Sequence, residues 1–278
     1  MADRNVLVTG AGSGIGRAVT ERLLGKGYRV FAGAIDDREA DTISTLPGRV
    51  VPLVFDVRDE PGVRRAAQEI HAVLGTERLT AVLNIAGVTT NGPLTDLDAD
   101  TFTRVLAVNV VGMATVTRAV LGLLGPGSRV INMSSASGTR TLPFTGAYSA
   151  SKFGVEALST AMRMEFAPLG FRVVVIAPGG IDTPMADSIK HQLARTPSLP
   201  VYREPLRRFL ATTEESFRTG VPLDAVVDTI LTAVETPAPR RRYELHNNYL
   251  RDVVLMRNLP VGLREKIIRK TLELEGHQ

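Results

Sequence analysis

An α/β fold built on one parallel sheet, covered by helices on both faces, is predicted by three features of the 278-residue sequence. Six short apolar runs alternate with segments whose apolar residues recur every three or four positions. Each run ends in glycine or a polar residue, and in a doubly wound sheet those ends converge on one edge, where ligands bind. The runs are apolar throughout, as strands buried on both faces require.

The first run, Asn5-Val-Leu-Val-Thr9, leads into Gly10-Ala-Gly-Ser-Gly14-Ile-Gly16 and a helical stripe of Ile15, Val19, Leu23 and Leu24. Strand, glycine turn and helix are the context a dinucleotide-binding turn needs. Gly10 allows the tight turn, Gly14 lets the backbone approach a pyrophosphate, and Gly16 lets helix and strand pack closely. The helix start offers unpaired N–H groups to phosphate charge. Tyr28–Ala34 is the second strand, followed by a helix from Arg38 to Leu46. Val50–Phe55 is the third, ending at Asp56, with Pro52 marking an irregular start. Val63, Ala66, Ala67, Ile70 and Leu74 place a helix over Gly62–Leu74. Leu79–Leu83 is the fourth strand and opens into Asn84-Ile-Ala-Gly87; a long apolar helix, Phe102–Leu124, carries Asn109.

Arg129–Met133 is the fifth strand, and Ser135–Pro143 its exit loop. A helix from Ala147 follows, with Phe153, Ala157, Ala161 and Met164 as its apolar stripe. Arg172–Ala177, the sixth strand, runs into Pro178-Gly-Gly-Ile-Asp-Thr183. Residues 184–221 break the rhythm with four prolines and read as a helical insert covering the site, a candidate substrate lid. Leu223–Val234 is a helix, and Arg242–Leu245 a possible last strand.

From Asn248 the tail mixes Leu250, Val254, Leu255, Leu259, Leu263, Ile267 and Ile268 with Arg251, Arg257, Arg264, Lys266, Arg269 and Lys270. Such a helix either touches a membrane surface peripherally or packs on its own domain or a sister subunit. Long basic side chains bordering packed faces favour the second reading.

Composition narrows the chemistry. The chain has no cysteine, which excludes disulfides, thiolate catalysis and cysteine-bound zinc, and suits a cytoplasmic location. Its four histidines, at positions 71, 191, 246 and 277, lack metal-ligand spacing, so no metal is expected. Thirty-three basic and twenty-nine acidic residues are mostly interspersed, which indicates no nucleic-acid surface. The chain is expected to enter its first strand without a leader, and no apolar stretch is expected to reach spanning length.

Tyr148 and Lys152 stand one turn apart at a helix start, and the Ser135 loop can return opposite the phenol. An ammonium so placed is expected to favour the phenolate and lower the tyrosine pKa toward neutrality. A serine hydroxyl can hold a substrate oxygen as charge develops. This trio can move one proton to or from an alcohol or ketone oxygen, but it cannot accept a hydride. A Tyr-x-x-x-Lys pair by itself is usually an ordinary helix start; its weight here comes from its companions.

Together these motifs resemble the short-chain dehydrogenase/reductase family from about Asn5 to Thr183. The family's Thr-Gly-x-x-x-Gly-x-Gly stands as Thr9–Gly16, its Asn-Ser-Tyr-Lys set falls on Asn109, Ser135, Tyr148 and Lys152, and its Pro-Gly-x-x-x-Thr matches Pro178–Thr183. The resemblance implies a Rossmann-type sheet in a single domain over residues 1–278, with lid and helical tail. It implies Tyr148 as general acid/base, Lys152 acting on its pKa and on the nicotinamide ribose, Ser135 on the substrate oxygen, and Asn109 supporting a proton-carrying water chain.

The cofactor contacts it implies are Gly10, Ser13, Gly14, Ile15 and Gly16 in the turn, and Asp56 and Val57 after the third strand. Asn84, Ala86 and Gly87 follow the fourth strand; Pro178, Gly179, Ile181 and Thr183 follow the sixth, the last two holding the carboxamide; Tyr148 and Lys152 complete the set. The family's Asn-Asn-Ala-Gly reads Asn84-Ile85-Ala-Gly87 here, which removes one side-chain amide.

The usual acidic and basic markers for NAD and NADP are absent, since Ala34, Ile35 and Ser13 occupy their positions. Asp36, just past the second strand, is expected to accept from the ribose hydroxyls and repel a 2′-phosphate, which favours NAD(H); Arg38 weighs toward NADP(H). The resemblance is greatest to the retinol and 17β-hydroxysteroid dehydrogenases, implying a bulky apolar alcohol or ketone and dimers or tetramers built on the two long helices. Met185, Ile189, Leu193, Leu199, Val201, Leu206 and Phe209 give the lid an apolar character that suits such a substrate. Two alternatives are a 3-oxoacyl-carrier ketoreductase, whose acidic partner would meet the basic lid, and a dinucleotide-binding regulatory protein without chemistry. A methyltransferase could share the glycine turn but would not need Ser135, Tyr148 and Lys152 in register.

Overall fold

A computed structural model of the chain describes residues 4–246 and 259–275. Seven parallel strands form the sheet: β1 (Asn5–Val8), β2 (Arg29–Ala34), β3 (Arg49–Val54), β4 (Leu79–Asn84), β5 (Leu124–Met133), β6 (Arg172–Pro178) and β7 (Arg242–Leu245). Their order is β3-β2-β1-β4-β5-β6-β7, so the chain reverses direction across the sheet between β1 and β4. The last strand expected from the sequence forms, with Val175 to Pro178 paired to Arg242 to Leu245.

Period-two alternation splits each strand between two cores. Val6, Val8, Val30, Ala32, Ala81, Leu83, Ile131, Val174 and Ile176 meet α1 (Gly14–Gly25), α2 (Asp37–Ser44) and α9 (Leu223–Glu235) on one face. Leu7, Phe31, Val82, Val130 and Val173 meet α3 (Glu60–Leu74), α5 (Met113–Val120) and α6 (Gly146–Glu165) on the other.

α4 (Ala99–Leu106), a π-helical stretch (Ala107–Gly112) and α5 form one rod. By length and composition Ala99–Leu123 is apolar enough to cross a membrane, contrary to the expectation that no segment would be. Val105, Met113, Val116 and Val120 are buried within the chain, and the core helix of a globular fold meets the same criterion.

The stripe on α6 also differs from expectation. Ala147, Ser151, Val155, Ser159 and Met162 face inward, while Phe153, Ala157 and Met164 point outward. Small and hydroxylated side chains were not counted in the apolar pattern, yet they are what lets α6 lie close on the sheet.

The insert is helical, as α7 (Pro184–Leu193) and α8 (Arg203–Arg218). Leu193, Leu206 and Phe209 pack with Phe144, and Phe209 meets the Phe144 ring edge-on at 5.7 Å between centroids. Leu199 and Val201 remain exposed. The tail helix α10 (Val261–Thr271) belongs to this same cluster through Ile268, Leu272 and Leu274, and Glu273 pairs with Arg208 at 2.6 Å. This part of the tail therefore packs on its own chain, while Leu263 and Ile267 face outward. Leu250, Val254, Leu255, Arg251 and Arg257 lie outside the described residues.

Candidate active site

A cleft of about 1120 Å³ opens where the strand ends meet the lid. At its floor the Thr9 hydroxyl accepts from the Ile85 and Ala86 N–H groups, both at 3.0 Å, which locks the ends of β1 and β4 together. Gly10 has φ +68°, and a Cβ there would come within 2.9 Å of the Ala86 Cα. A Cβ on Gly16 would overlap the Gly10 carbonyl. α1 starts with neither a side-chain cap nor an acidic residue in its first turn. Its N–H groups face the cleft open to an anion, so the turn fits a dinucleotide pyrophosphate. Ser13, Gly14 and Ile15 line the same wall, and Thr183 arches over Gly14 from across the cleft.

Asp56, Val57, Ala86 and Gly87 also line the cleft, as do Pro178, Gly179 and Ile181. The Arg58 guanidinium, bonded to the Asp56 carboxylate at 2.5 Å, holds that carboxyl below its usual range.

Two expected cofactor contacts, Asp36 and Asn84, are not made as predicted. Asp36 caps α2 instead of facing the cleft, its Oδ1 accepting from the Glu39 N–H at 2.8 Å. The residue that reaches the cleft is Glu39, whose carboxylate accepts from the Ile35 N–H at 3.1 Å and lies over Gly12. The signal was in the sequence: Asp36-x-x-Glu39 is a capping-box spacing, which commits the first acid to the helix and sends the second back toward its start.

Asn84 is turned away from the cleft. Its Nδ2 donates to Thr117 Oγ1 at 2.9 Å and Asn132 Oδ1 at 2.8 Å, inside the layer between sheet and helices. The alternation of β4 sends its last side chain down into that layer.

Asn109 lies in the π-helical stretch, nearly fully buried, and does not line the cleft. Its Oδ1 accepts from the Val88 N–H at 2.8 Å, and its Nδ2 donates to the Val88 carbonyl at 2.9 Å and to Ser151 Oγ at 2.9 Å. Asn109 thus pins the loop after Gly87 to α6. The widened turn was not legible as periodicity, although such turns often mark functional sites.

Ser135, Tyr148 and Lys152 come together at the centre of the cleft. The Ser135 side chain accepts from the Ser137 N–H at 3.2 Å and stands beside the Tyr148 phenol, near enough to draw its pKa down. Lys152, 5% exposed, donates from Nζ to the Met133 carbonyl at 2.9 Å, with Nζ 5.6 Å from the Tyr148 ring centroid.

The expected lowering of the tyrosine pKa is not what this arrangement produces. Burial pushes the phenol above its ordinary value, and only the neighbouring Ser135 hydroxyl pulls it back. The ammonium sits beside the ring, engaged with a backbone carbonyl, and is itself pushed down to about 8 by burial, against the pull of Glu156.

Glu156, one turn beyond Lys152, was not singled out in the sequence. It accepts from Ser134 Oγ at 2.7 Å and from Arg242 Nε at 3.2 Å, so β7 carries the counter-charge that anchors it. The lid closes the remaining side with Met185, Ile189 and Phe209.

A sequence model described as short chain dehydrogenase matches residues 4–194. The chain is 33% identical over 278 residues to an NADPH-dependent 3-dehydrocapnine reductase of Ornithobacterium rhinotracheale, covering 97% of this chain and 98% of that protein. It is 35% identical over 189 residues to retinol dehydrogenase 5 of Mus musculus, covering 67% of this chain and 59% of that one. Among solved structures, a short-chain dehydrogenase from Streptomyces avermitilis superposes over 100% of both chains with a TM-score of 0.78 at 24% identity, a likeness of fold.

Proposed function

The chain belongs to the short-chain dehydrogenase/reductase family, and from that premise we propose that it interconverts a ketone and a secondary alcohol, with Tyr148 as proton donor and acceptor. The observation that carries this reading is the Tyr148 phenol, with Ser135 and Lys152 beside it, in the same cleft as the uncapped start of α1. A bound nicotinamide dinucleotide supplies or accepts the hydride.

In the reductive direction Tyr148, held neutral by burial, gives its proton to the carbonyl oxygen, and Ser135 donates a hydrogen bond to that oxygen as charge gathers. Lys152 stabilises the phenolate left behind, and Glu156 favours the charged ammonium. Asn109 acts through position, holding the Val88 loop and Ser151. The glycine turn, Thr183 and the Ile181 backbone hold the dinucleotide. Tyr148→Phe should lower turnover about a thousandfold while dinucleotide binding, read by fluorescence titration, persists. Turnover near that of the unsubstituted chain would remove Tyr148 from this role.

For the cofactor we favour NAD(H), on the ground that the Glu39 carboxylate stands past the end of β2, where an acid accepts from ribose hydroxyls and repels a 2′-phosphate. The related reductase is NADPH-dependent, so the comparison of Kd for NADH and NADPH is decisive. Glu39→Gln should narrow an NADH preference by roughly tenfold; tighter NADPH binding by the unsubstituted chain would reverse the assignment.

The apolar lid supports a substrate with an extended apolar part, and the full-length likeness to a reductase favours the reductive direction. We read residues 1–278 as one domain, and the outward Val111, Phe153 and Met164 as the contact through which like subunits pair.

A further inference from the structure

The lid lines the substrate side of the cleft with Met185, Ile189 and Phe209, and among the polar side chains that the reaction above leaves unused is Asn91. Asn91, in the loop between β4 and α4, lines the cleft and is only 7% exposed. Its loop is held close to the proton-transfer site, because the Gly92 N–H donates to the Phe144 carbonyl at 2.8 Å, four residues before Tyr148.

The orientation of the Asn91 amide is forced by its neighbours. The Asn91 backbone N–H donates to Gln192 Oε1 at 2.8 Å, so the Gln192 oxygen must face it. Gln192 Nε2 then donates to the Thr89 carbonyl at 3.3 Å and to Ser188 Oγ at 3.1 Å. Asn91 Nδ2 meets the same Gln192 oxygen at 3.1 Å and Thr89 Oγ1 at 2.8 Å. Both Asn91 donor groups are thereby committed to lid and loop, which leaves Oδ1. Among the described residues, the sealed side-chain atoms without a partner are Asn84 Oδ1 and Arg129 Nε. Asn91 Oδ1 is not among them and receives no donor from the described residues, and the space beside Asn91 is the cleft it lines.

We infer that Asn91 Oδ1 is a specificity-determining acceptor, and that the substrate carries an N–H or O–H donor on the lid side of its reacting carbon. Its apolar part then lies along Met185, Ile189 and Phe209. A ketone lacking the donor would leave a desolvated carbonyl oxygen unpaired, and sites built on such an atom discriminate strongly. This inference rests on the hydride-transfer reading.

The test uses the full chain and three long-chain ketones: one bare, one with a hydroxyl on the carbon next to the carbonyl, and one with an amino group there. Reduction is followed by absorbance of the nicotinamide, with each dinucleotide. A donor-bearing ketone should exceed the bare one in kcat/KM by roughly tenfold or more. Asn91→Leu should bring that ratio close to one. Asn91→Asp, which keeps an acceptor and adds charge, should favour the amine over the hydroxyl, and the preference of the unsubstituted chain identifies the donor. Equal kcat/KM for bare and donor-bearing ketones, or a ratio unchanged by Asn91→Leu, overturns the inference while hydride transfer stands. Reduction of none of the three overturns both.

Discussion

The two halves of the cleft are shaped by different parts of the chain. On the dinucleotide side the wall is backbone: Gly10, Gly14 and Gly16 leave no side chains, and Thr9 ties two strand ends together. On the substrate side the wall is backed by side-chain packing, in which Phe144, Leu193, the α8 pair Leu206 and Phe209, and Leu272 come from four separate segments. A backbone wall tolerates no added atom, whereas a packed lid can lose a side chain and relax in part.

The sharpest test of that contrast is Gly16→Val. The new Cβ would overlap the Gly10 carbonyl, a backbone atom that cannot yield without moving the turn. Dinucleotide affinity should fall more than about a hundredfold, which titration of bound reduced cofactor would read. Affinity within a few-fold of the original would mean that the turn is not the binding wall.

Phe209→Ala is the matching change across the cleft. It removes the ring that meets Phe144 edge-on, loosening the lid. KM for an apolar ketone should rise roughly tenfold, with dinucleotide Kd nearly constant. If both constants moved together, the halves would be coupled and the comparison would fail.

The smallest expected effect concerns the boundary between the halves. Lys152 falls from an ordinary 10.5 to about 8 on burial. Between about pH 8 and 10 the unfolded chain holds this proton and the folded chain does not, so this group makes stability rise with pH across that window. Reduction, which relies on the ammonium to stabilise the phenolate, should decline as pH rises through about 8. Lys152→Met should flatten the stability slope in urea melts at pH 7.5, 9 and 10, and an unchanged slope would place the titration elsewhere.

Legibility followed the same division. The dinucleotide half could be read because glycine spacing and strand ends are local properties, and Gly10, Gly16, Ser135, Tyr148 and Lys152 all reach the cleft. The misreadings arose where a local rule competed with another. Asp36 suits a ligand by its place after β2, but its spacing to Glu39 makes it a helix cap. Asn84 was placed by family position, but strand alternation turned it inward. The α6 stripe counted Phe153 and Met164 as core, while hydroxyls supplied the buried face.

By itself the sequence determined the strand–helix rhythm, the glycine turn and the register of Ser135, Tyr148 and Lys152, since these depend on backbone sterics and short-range periodicity. Only the tertiary structure decided which acid meets the cleft, how burial moves the phenol and the ammonium in opposite directions, and which oxygen of the Asn91–Gln192 pair remains open. Desolvation and hydrogen-bond commitment depend on residues far apart in the chain, as Asn91 and Gln192 are, and they take their values only once those residues are packed together.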